Sequence, residues 1–93
     1  MSYQEFRALF PTMTTVDTGA NGQAALNLQV RPGCYVLVAD LGHVPDEESD
    51  TIDVSLYQDD RGVGGHYPAD FAVVSTFEEA AEEIHQWMIQ EVA

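Results

Sequence analysis

The side chains of this protein that could bind a metal ion or take part in catalysis include three histidines, one cysteine and sixteen carboxylates. A zinc site needs ligands at short, fixed spacings, so that one loop or helical turn presents two of them. His43 and Asp46 are three residues apart, and His66 and Asp70 are four apart, but neither pair falls in a segment that predicts a helix. The loop from Asp46 to Asp53 lacks the glycine and the twelfth-position glutamate of an EF-hand. We therefore assign no metal ligand and no cofactor.

Hydrolytic catalysis finds little support in the same side chains. A nucleophile needs a base within hydrogen-bond reach, and a third group must orient that base. Cys34 begins the most apolar segment of the chain, where a buried thiol is usually an inert core residue. His85 falls between the two faces of a predicted helix. His66 follows a glycine-rich segment that has no lysine and is therefore not a phosphate-binding loop. We predict a protein that is not an enzyme, with His66 as the one histidine to test.

Net negative charge is the most informative property of the sequence. Sixteen acids face three arginines and no lysine, which gives a net charge of −13. Binding to DNA or RNA needs Lys or Arg to neutralise phosphates, and binding to anionic membranes needs the same residues. We therefore expect neither direct nucleic-acid binding nor membrane binding. A strong negative field attracts basic surfaces and cations instead.

The acids are clustered along the chain. Residues 40–60 contain eight acids and no Lys or Arg, whereas residues 18–39 contain no acid. The predicted C-terminal helix adds Glu78–Glu82 and Glu79–Glu83, two like-charge pairs one turn apart that each cost roughly 0.2–0.5 kcal/mol. The candidate partner-binding residues are Asp46, Glu47, Glu48, Asp50, Asp53, Asp59, Asp60, Glu78, Glu79, Glu82 and Glu83. Tyr57 and Trp87 are candidate aromatic anchors, although the position of Trp87 in an apolar stripe favours the core.

Three explanations compete for this acidity. Carboxylates on a rigid surface can imitate the phosphates of a nucleic acid and occupy a basic groove of a partner that handles nucleic acid. Alternatively, the charge serves solubility in a halophilic or housekeeping domain, or it has no specific role. A halophile is expected to spread acids over every exposed segment, and the acid-free residues 18–39 favour the first explanation.

The elements that must position these residues can be predicted from periodicity and turn signals. Ser2 and Glu5 have capping-box spacing at the start of a short helix that Pro11 ends. Ser75 and Thr76 are both candidate N-caps, each followed three residues later by a glutamate, for an amphipathic helix that is predicted from about Thr76 to Glu91. Strands are predicted over residues 12–17, 23–30, 34–39, 51–58 and, as a short fifth strand, 69–74. Residues 34–39 are apolar at every position and predict a central strand that is covered on both faces.

These elements predict an α+β domain in which the C-terminal helix packs on one face of an antiparallel sheet of four to five strands. Ninety-three residues fit one domain, 1–93, because a second core needs roughly 100 residues more. The longest apolar run is far too short to span a bilayer, and no secretory signal is recognisable at the N-terminus. We expect a cytoplasmic protein, and nothing in the sequence indicates its oligomeric state.

A short, lysine-free, strongly acidic α+β chain resembles the small phage-encoded anti-defence proteins, including anti-CRISPR proteins and DNA mimics. The resemblance is one of bulk character over the whole chain, and it depends on three acid runs, 46–48, 59–60 and 78–83. That group shares no motif, so no functional residue is transferred. The resemblance implies a stoichiometric inhibitor that blocks the target-DNA or guide-RNA binding surface of a defence complex.

Overall fold

A computed structural model describes residues 1–17, 22–58 and 68–89 of the chain. These ranges contain two helices and five strands: α1 (Tyr3–Leu9), β1 (Thr14–Asp17), β2 (Ala24–Arg31), β3 (Cys34–Ala39), β4 (Ile52–Gln58), β5 (Asp70–Val74) and α2 (Phe77–Ile89). The strands form one antiparallel sheet in the order β1-β2-β3-β4-β5. The predicted α+β architecture is confirmed, with five strands in the sheet.

Both helices begin at the caps that the sequence predicts. The Ser2 hydroxyl accepts a hydrogen bond from the Glu5 amide at 3.0 Å, and the Ser2 amide donates to Glu5 Oε1 at 3.0 Å, which completes a capping box. The backbone and hydroxyl of Ser2 both hydrogen-bond the Glu5 carboxylate and lower its pKa, because they favour the charged form. At the start of α2, Thr76 Oγ1 accepts from the Glu79 amide at 3.2 Å.

The core lies between one face of the sheet and the two helices. Alternate residues of β2 and β4 point into it, as predicted, including the buried Leu26, Leu28 and Val54. Phe6 of α1 and Ile84 of α2 are fully buried against this face. Trp87 is 3% exposed, which confirms its predicted place in the core. No helix in the described ranges is long and apolar enough to cross a membrane.

The prediction that β3 is covered on both faces is wrong. Cys34, Val36 and Val38 are buried, but the alternate residues Tyr35, Leu37 and Ala39 are only half-buried. In the described part of the chain both helices pack on the same side of the sheet, so these three residues lie on the other side, here called the open face. They shield one another laterally instead of packing under a second layer, and Tyr35 stacks on Tyr57 of β4 with ring centroids 5.2 Å apart.

Candidate functional site

Several segments of the chain lie close together at one end of the antiparallel sheet. Odd-numbered strands end and even-numbered strands begin at this end, because neighbouring strands run in opposite directions. The loop from Asp40 to Thr51 therefore lies beside the end of β5, and α2 begins there three residues later. The Ala24 amide at the start of β2 donates to the Gly42 carbonyl at 3.0 Å, which ties the loop to this end of the sheet.

Hydrogen bonds within the Asp40–Thr51 loop fix the positions of its acids. Asp40 exchanges two backbone hydrogen bonds with His43, at 2.7 and 3.0 Å, around a tight turn in which Gly42 has a φ of 87°. The Ser49 hydroxyl donates to Asp40 Oδ2 at 2.7 Å and accepts from the Asp46 amide at 3.0 Å. The Glu48 amide donates to Asp46 Oδ1 at 2.8 Å. A short polar loop thereby presents its exposed carboxylates in a defined arrangement.

The N-terminal segment lies against both the loop and α2. The Tyr3 amide donates to Glu47 Oε1 at 3.1 Å, and the Met1 ammonium group contacts Glu78 Oε1. The hydrogen bond from Glu78 is the main cause of the raised pKa of the Met1 amino group, partial desolvation opposes it, and the charges of Glu78, Glu5 and Glu47 add to it. These contacts bring the starts of both helices to the loop.

The outcome is one strongly negative end of the molecule, which we call the acidic end. It comprises Glu5, Asp40, Asp46, Glu47, Glu48, Asp50, Glu78 and Glu79. Neither of the two described arginines forms an ion pair with these carboxylates. Arg7 donates to the Tyr3 hydroxyl and to the Met13 carbonyl, at 2.9 and 3.2 Å. Arg31 donates to the Trp87 carbonyl at 2.7 Å, at the opposite end of the sheet. In the described ranges, the Met1–Glu78 pair is the one ion pair of the chain.

The acidic end contains six of the residues predicted to bind a partner, but the structure separates others from it. Glu82 and Glu83 follow one turn further along α2, and Glu83 is half-buried beside Trp87. Asp53 alternates with the buried Ile52 and Val54, so it lies on the open face of the sheet, away from both helices. Asp59 and Asp60 lie outside the described residues.

Two members of the acidic end were missed by reasoning from the sequence. Glu5 was interpreted as a capping residue, and Asp40 was counted among the clustered acids of residues 40–60, but neither was a candidate for partner binding. The capping box correctly places Glu5 in the first turn of α1, but no local signal indicates that this turn lies beside a loop more than forty residues away. That proximity depends on how α1 packs against α2, which is a property of the whole core.

The side chains considered for metal binding or catalysis do not converge in the described residues. Cys34 is buried in the core, His43 is exposed in the loop, and His85 is exposed on α2 with its ring centroid 5.2 Å from that of Phe10. His66 lies outside the described residues. No group of three His, Cys, Asp or Glu side chains suited to a metal ion occurs within the ranges that the structure describes.

The open face carries a shallow groove of about 680 Å³. Its lining combines the Tyr35–Tyr57 stack with amides such as Asn27 and Gln29 and with the half-buried Leu37. Both apolar and polar groups line the groove, and Cys34 is among them, but the described lining residues include no histidine that could act as its base. The arrangement that distinguishes this molecule chemically is the acidic end, where carboxylates from the loop and both helices create a fixed negative field.

Comparison with known proteins finds no matching family model, no matching curated protein and no matching solved structure. Function is therefore inferred from the charges and surfaces of the chain itself.

Proposed function

We propose that this protein is a non-enzymatic binding protein whose acidic end occupies the nucleic-acid-binding surface of a basic partner. The observation that carries this proposal is the convergence of carboxylates from α1, the Asp40–Thr51 loop and α2 at one end of the sheet. A groove that binds nucleic acid is lined with Lys and Arg that neutralise phosphates. Such a groove and the acidic end are complementary in charge, which steers association and fixes orientation.

The spacing of the carboxylates supports mimicry of nucleic acid. Glu78, Glu79, Glu82 and Glu83 place four charges within about 7.5 Å of helix axis, compared with about one phosphate charge per 1.7 Å along duplex DNA. Glu78 and Glu79 belong to the acidic end, and Glu82 and Glu83 extend its charge along α2. A basic groove that binds closely spaced phosphates therefore meets a similar charge density on this surface.

The fixed geometry of the acids also supports binding. Ser49 and Asp46 hold the loop through four hydrogen bonds of 2.7 to 3.1 Å, and the caps of both helices fix the neighbouring glutamates. Side chains and loops that are ordered before binding lose less conformational entropy on association. A surface whose charge served only solubility would gain nothing from such order.

The resemblance to anti-defence proteins suggests a narrower form of the proposal. In that form the partner is a defence complex that binds DNA or guide RNA, and this protein inhibits it stoichiometrically by covering the binding surface. The narrower form shares its physical basis with the general one, so the same experiment addresses both.

The experiment uses the full chain, immobilised and incubated with extract of its native host, followed by mass spectrometry. The expected result is capture of a basic nucleic-acid-binding protein that added duplex DNA or RNA displaces, with an association rate that falls steeply as salt rises. A captured protein that binds nucleic acid and this chain simultaneously would contradict the proposal, because mimicry requires the two to compete.

A pair of variants then tests whether the acidic end itself makes the contact. Glu48→Gln with Asp50→Asn removes two exposed charges from the acidic end and changes the net charge from −13 to −11. Thr15→Lys with Gln29→Lys gives the same net charge through exposed positions on the sheet. We expect the first variant to lose more affinity for the captured partner than the second. Equal losses would show that only bulk charge matters.

A further inference from the structure

Within the ranges that the structure describes, the outer edge of β5 has no pairing strand, and it carries exposed apolar side chains. β5 pairs with β4, and among the described residues no strand lies on its other side. Phe71 and Val73 are 64% and 58% exposed. Natural edge strands are commonly protected by lysine, proline or a bulge, since an unprotected edge pairs with other chains. Residues 71–74 contain no lysine or proline, and their register with β4 is regular.

The outward-facing backbone groups of β5 can be identified from one hydrogen bond. The Phe71 amide donates to Oδ1 of the preceding Asp70 at 2.8 Å, so this amide points away from β4. Alternate residues of an edge strand direct their backbone groups outward, and Val73 therefore belongs to the same outward set. Asp70 Oδ1 accepts from one outward-pointing amide, that of Phe71. The Val73 amide and the Phe71 carbonyl also point outward, where no strand lies among the described residues.

We propose that this edge pairs with the β5 edge of a second copy of the chain, antiparallel and centred on Ala72. In that register Phe71 lies opposite the partner's Val73, and the Val73 amide donates to the carbonyl of the partner's Phe71. Phe71 and Val73 are on the open face, because they pair with Ser55 and Asp53 of β4. The same patch serves both copies, as a two-fold interface requires, and the apolar side chains of the two strands form one strip.

The distribution of charge favours a second copy over a basic partner at this edge. Asp70, the first residue of β5, carries the only charged side chain of this strand, and its carboxylate accepts from the Phe71 amide and from Trp87 Nε1. Residues 71–77 carry no charged side chain, so the apolar part of the edge offers no charge that would select a basic strand. β5 runs towards the acidic end and begins at the opposite end, near Trp87 and Arg31. Antiparallel pairing therefore places each acidic end beside the opposite end of the other copy, which keeps the strongest negative charges of the two copies apart.

The size of the patch predicts a weak dimer. Ile89 of α2 is 79% exposed and lies beside Asp70 at the start of β5, so it adds to the contact on the helix side of the edge. A few apolar side chains and a five-residue strand make an interface smaller than the roughly 1,600 Å² of stable complexes. We therefore expect dimers that form only as the protein concentration rises.

Sedimentation of the full chain over a range of protein and salt concentrations tests this inference. Two copies of charge −13 repel each other, and salt screens that repulsion, so the dimer is expected to tighten as salt rises. Binding of the acidic end to a basic partner is expected to weaken under the same change. The two salt responses have opposite signs, so failure of one proposal is distinguishable from failure of the other.

A matched pair of variants locates the interface. Val73→Lys and Thr15→Lys each change the net charge from −13 to −12, and each alters an exposed position in an edge strand, β5 or β1. Val73→Lys is expected to raise the dimer dissociation constant about tenfold or more, because an ammonium group is placed in the apolar strip. Thr15→Lys is expected to leave it unchanged or lower it slightly. Phe71→Lys repeats the test if the first variant does not fold by circular dichroism.

Three results would overturn the inference. The first is a monomer at every concentration at which the protein is soluble. The second is a dimer that dissociates as salt is raised, since that response indicates an ionic contact. The third is a dimer that Val73→Lys and Thr15→Lys affect equally, because the β5 edge would then not be the contact.

Discussion

Replacing Glu82 and Glu83 with lysine is expected to stabilise the protein, although neither side chain belongs to the buried core. Glu82 lies one turn after Glu78, and Glu83 lies one turn after Glu79, so α2 carries two like-charge pairs at i, i+4 spacing. The last turn of α2 has no basic residue. Lysine at positions 82 and 83 would convert both repulsive pairs into attractive pairs in the favourable order, with glutamate on the N-terminal side.

The magnitude follows from the pair energies. Each like-charge pair costs roughly 0.2–0.5 kcal/mol, and each Glu–Lys pair contributes a similar amount in the opposite direction. The lysine variant loses two repulsive Glu–Glu pairs and gains two attractive Glu–Lys pairs, so its free energy of unfolding should rise by about 1–2 kcal/mol. For a domain of this size, each 1 kcal/mol raises Tm by about 4–8 °C. Glutamine at both positions removes the repulsion only, and should give about half of the gain.

Urea unfolding followed by the fluorescence of Trp87, which is buried in the folded state, measures this gain. The measurement is made at low salt and again at about 1 M NaCl, where screening reduces the difference between the variants. A lysine variant that is no more stable than the original chain at low salt would refute the argument. If the lysine variant is more stable and also binds the captured partner less tightly, the glutamates are retained for binding at a cost in stability.

Two further outcomes are expected. Circular dichroism should show a folded protein at about 0.15 M salt. A halophilic protein of this charge should instead unfold as the salt concentration falls well below about 1 M. Unfolding at low salt would therefore favour salt adaptation over the binding proposal. Ser2→Ala removes the hydroxyl of the capping box and should destabilise the protein by about 0.5–2 kcal/mol, while the lowered pKa of Glu5 returns towards its usual value in an NMR titration. A carboxyl whose pKa is lowered in the folded state stabilises the protein at pH values above its usual pKa. The stability that Glu5 contributes is therefore lost as the pH falls through its lowered pKa. The Ser2→Ala variant should lose less stability over the same pH range, because its Glu5 pKa is lowered less.

Local signals were sufficient to predict the elements of this fold. Ser2 and Thr76 are followed three residues later by a glutamate, and both caps are present in the structure. Leu26 and Leu28 alternate with Asn27 on β2, as a sheet with one buried face requires. Each of these signals involves residues within about one turn of each other, where the physical cause is itself local.

The acidic end could be predicted only in part. Asp46, Glu47 and Glu48 are contiguous in sequence, so their proximity needs no tertiary argument. The contact of the Tyr3 amide with Glu47 and that of the Met1 ammonium group with Glu78 join segments far apart in the chain, and no spacing in the sequence encodes them. Asp53 is close to the loop in sequence, but strand alternation places it on the open face of the sheet, so closeness in sequence does not by itself give a shared surface.

The same alternation explains why β3 was wrongly predicted to be covered on both faces. A run of apolar residues indicates that neither face is fully solvated, but it does not show what shields each face. In this sheet the helices cover one face, and on the other face Tyr35, Leu37 and Ala39 are shielded by their neighbours on β2 and β4. Sequence composition therefore reports the degree of burial better than it reports the number of layers.

The positions of the charged and uncharged surfaces bear on why the chain is so acidic. Charge that served solubility alone would be most effective where apolar groups are exposed, because it would oppose association there. The exposed Phe71 and Val73 lie on a strand edge whose residues 71–77 are uncharged, while carboxylates are crowded at the acidic end. Crowding raises the repulsive energy of those acids without protecting the edge. This arrangement is poorly suited to solubility, and it supports the proposal that the acidic end is directed at a basic groove.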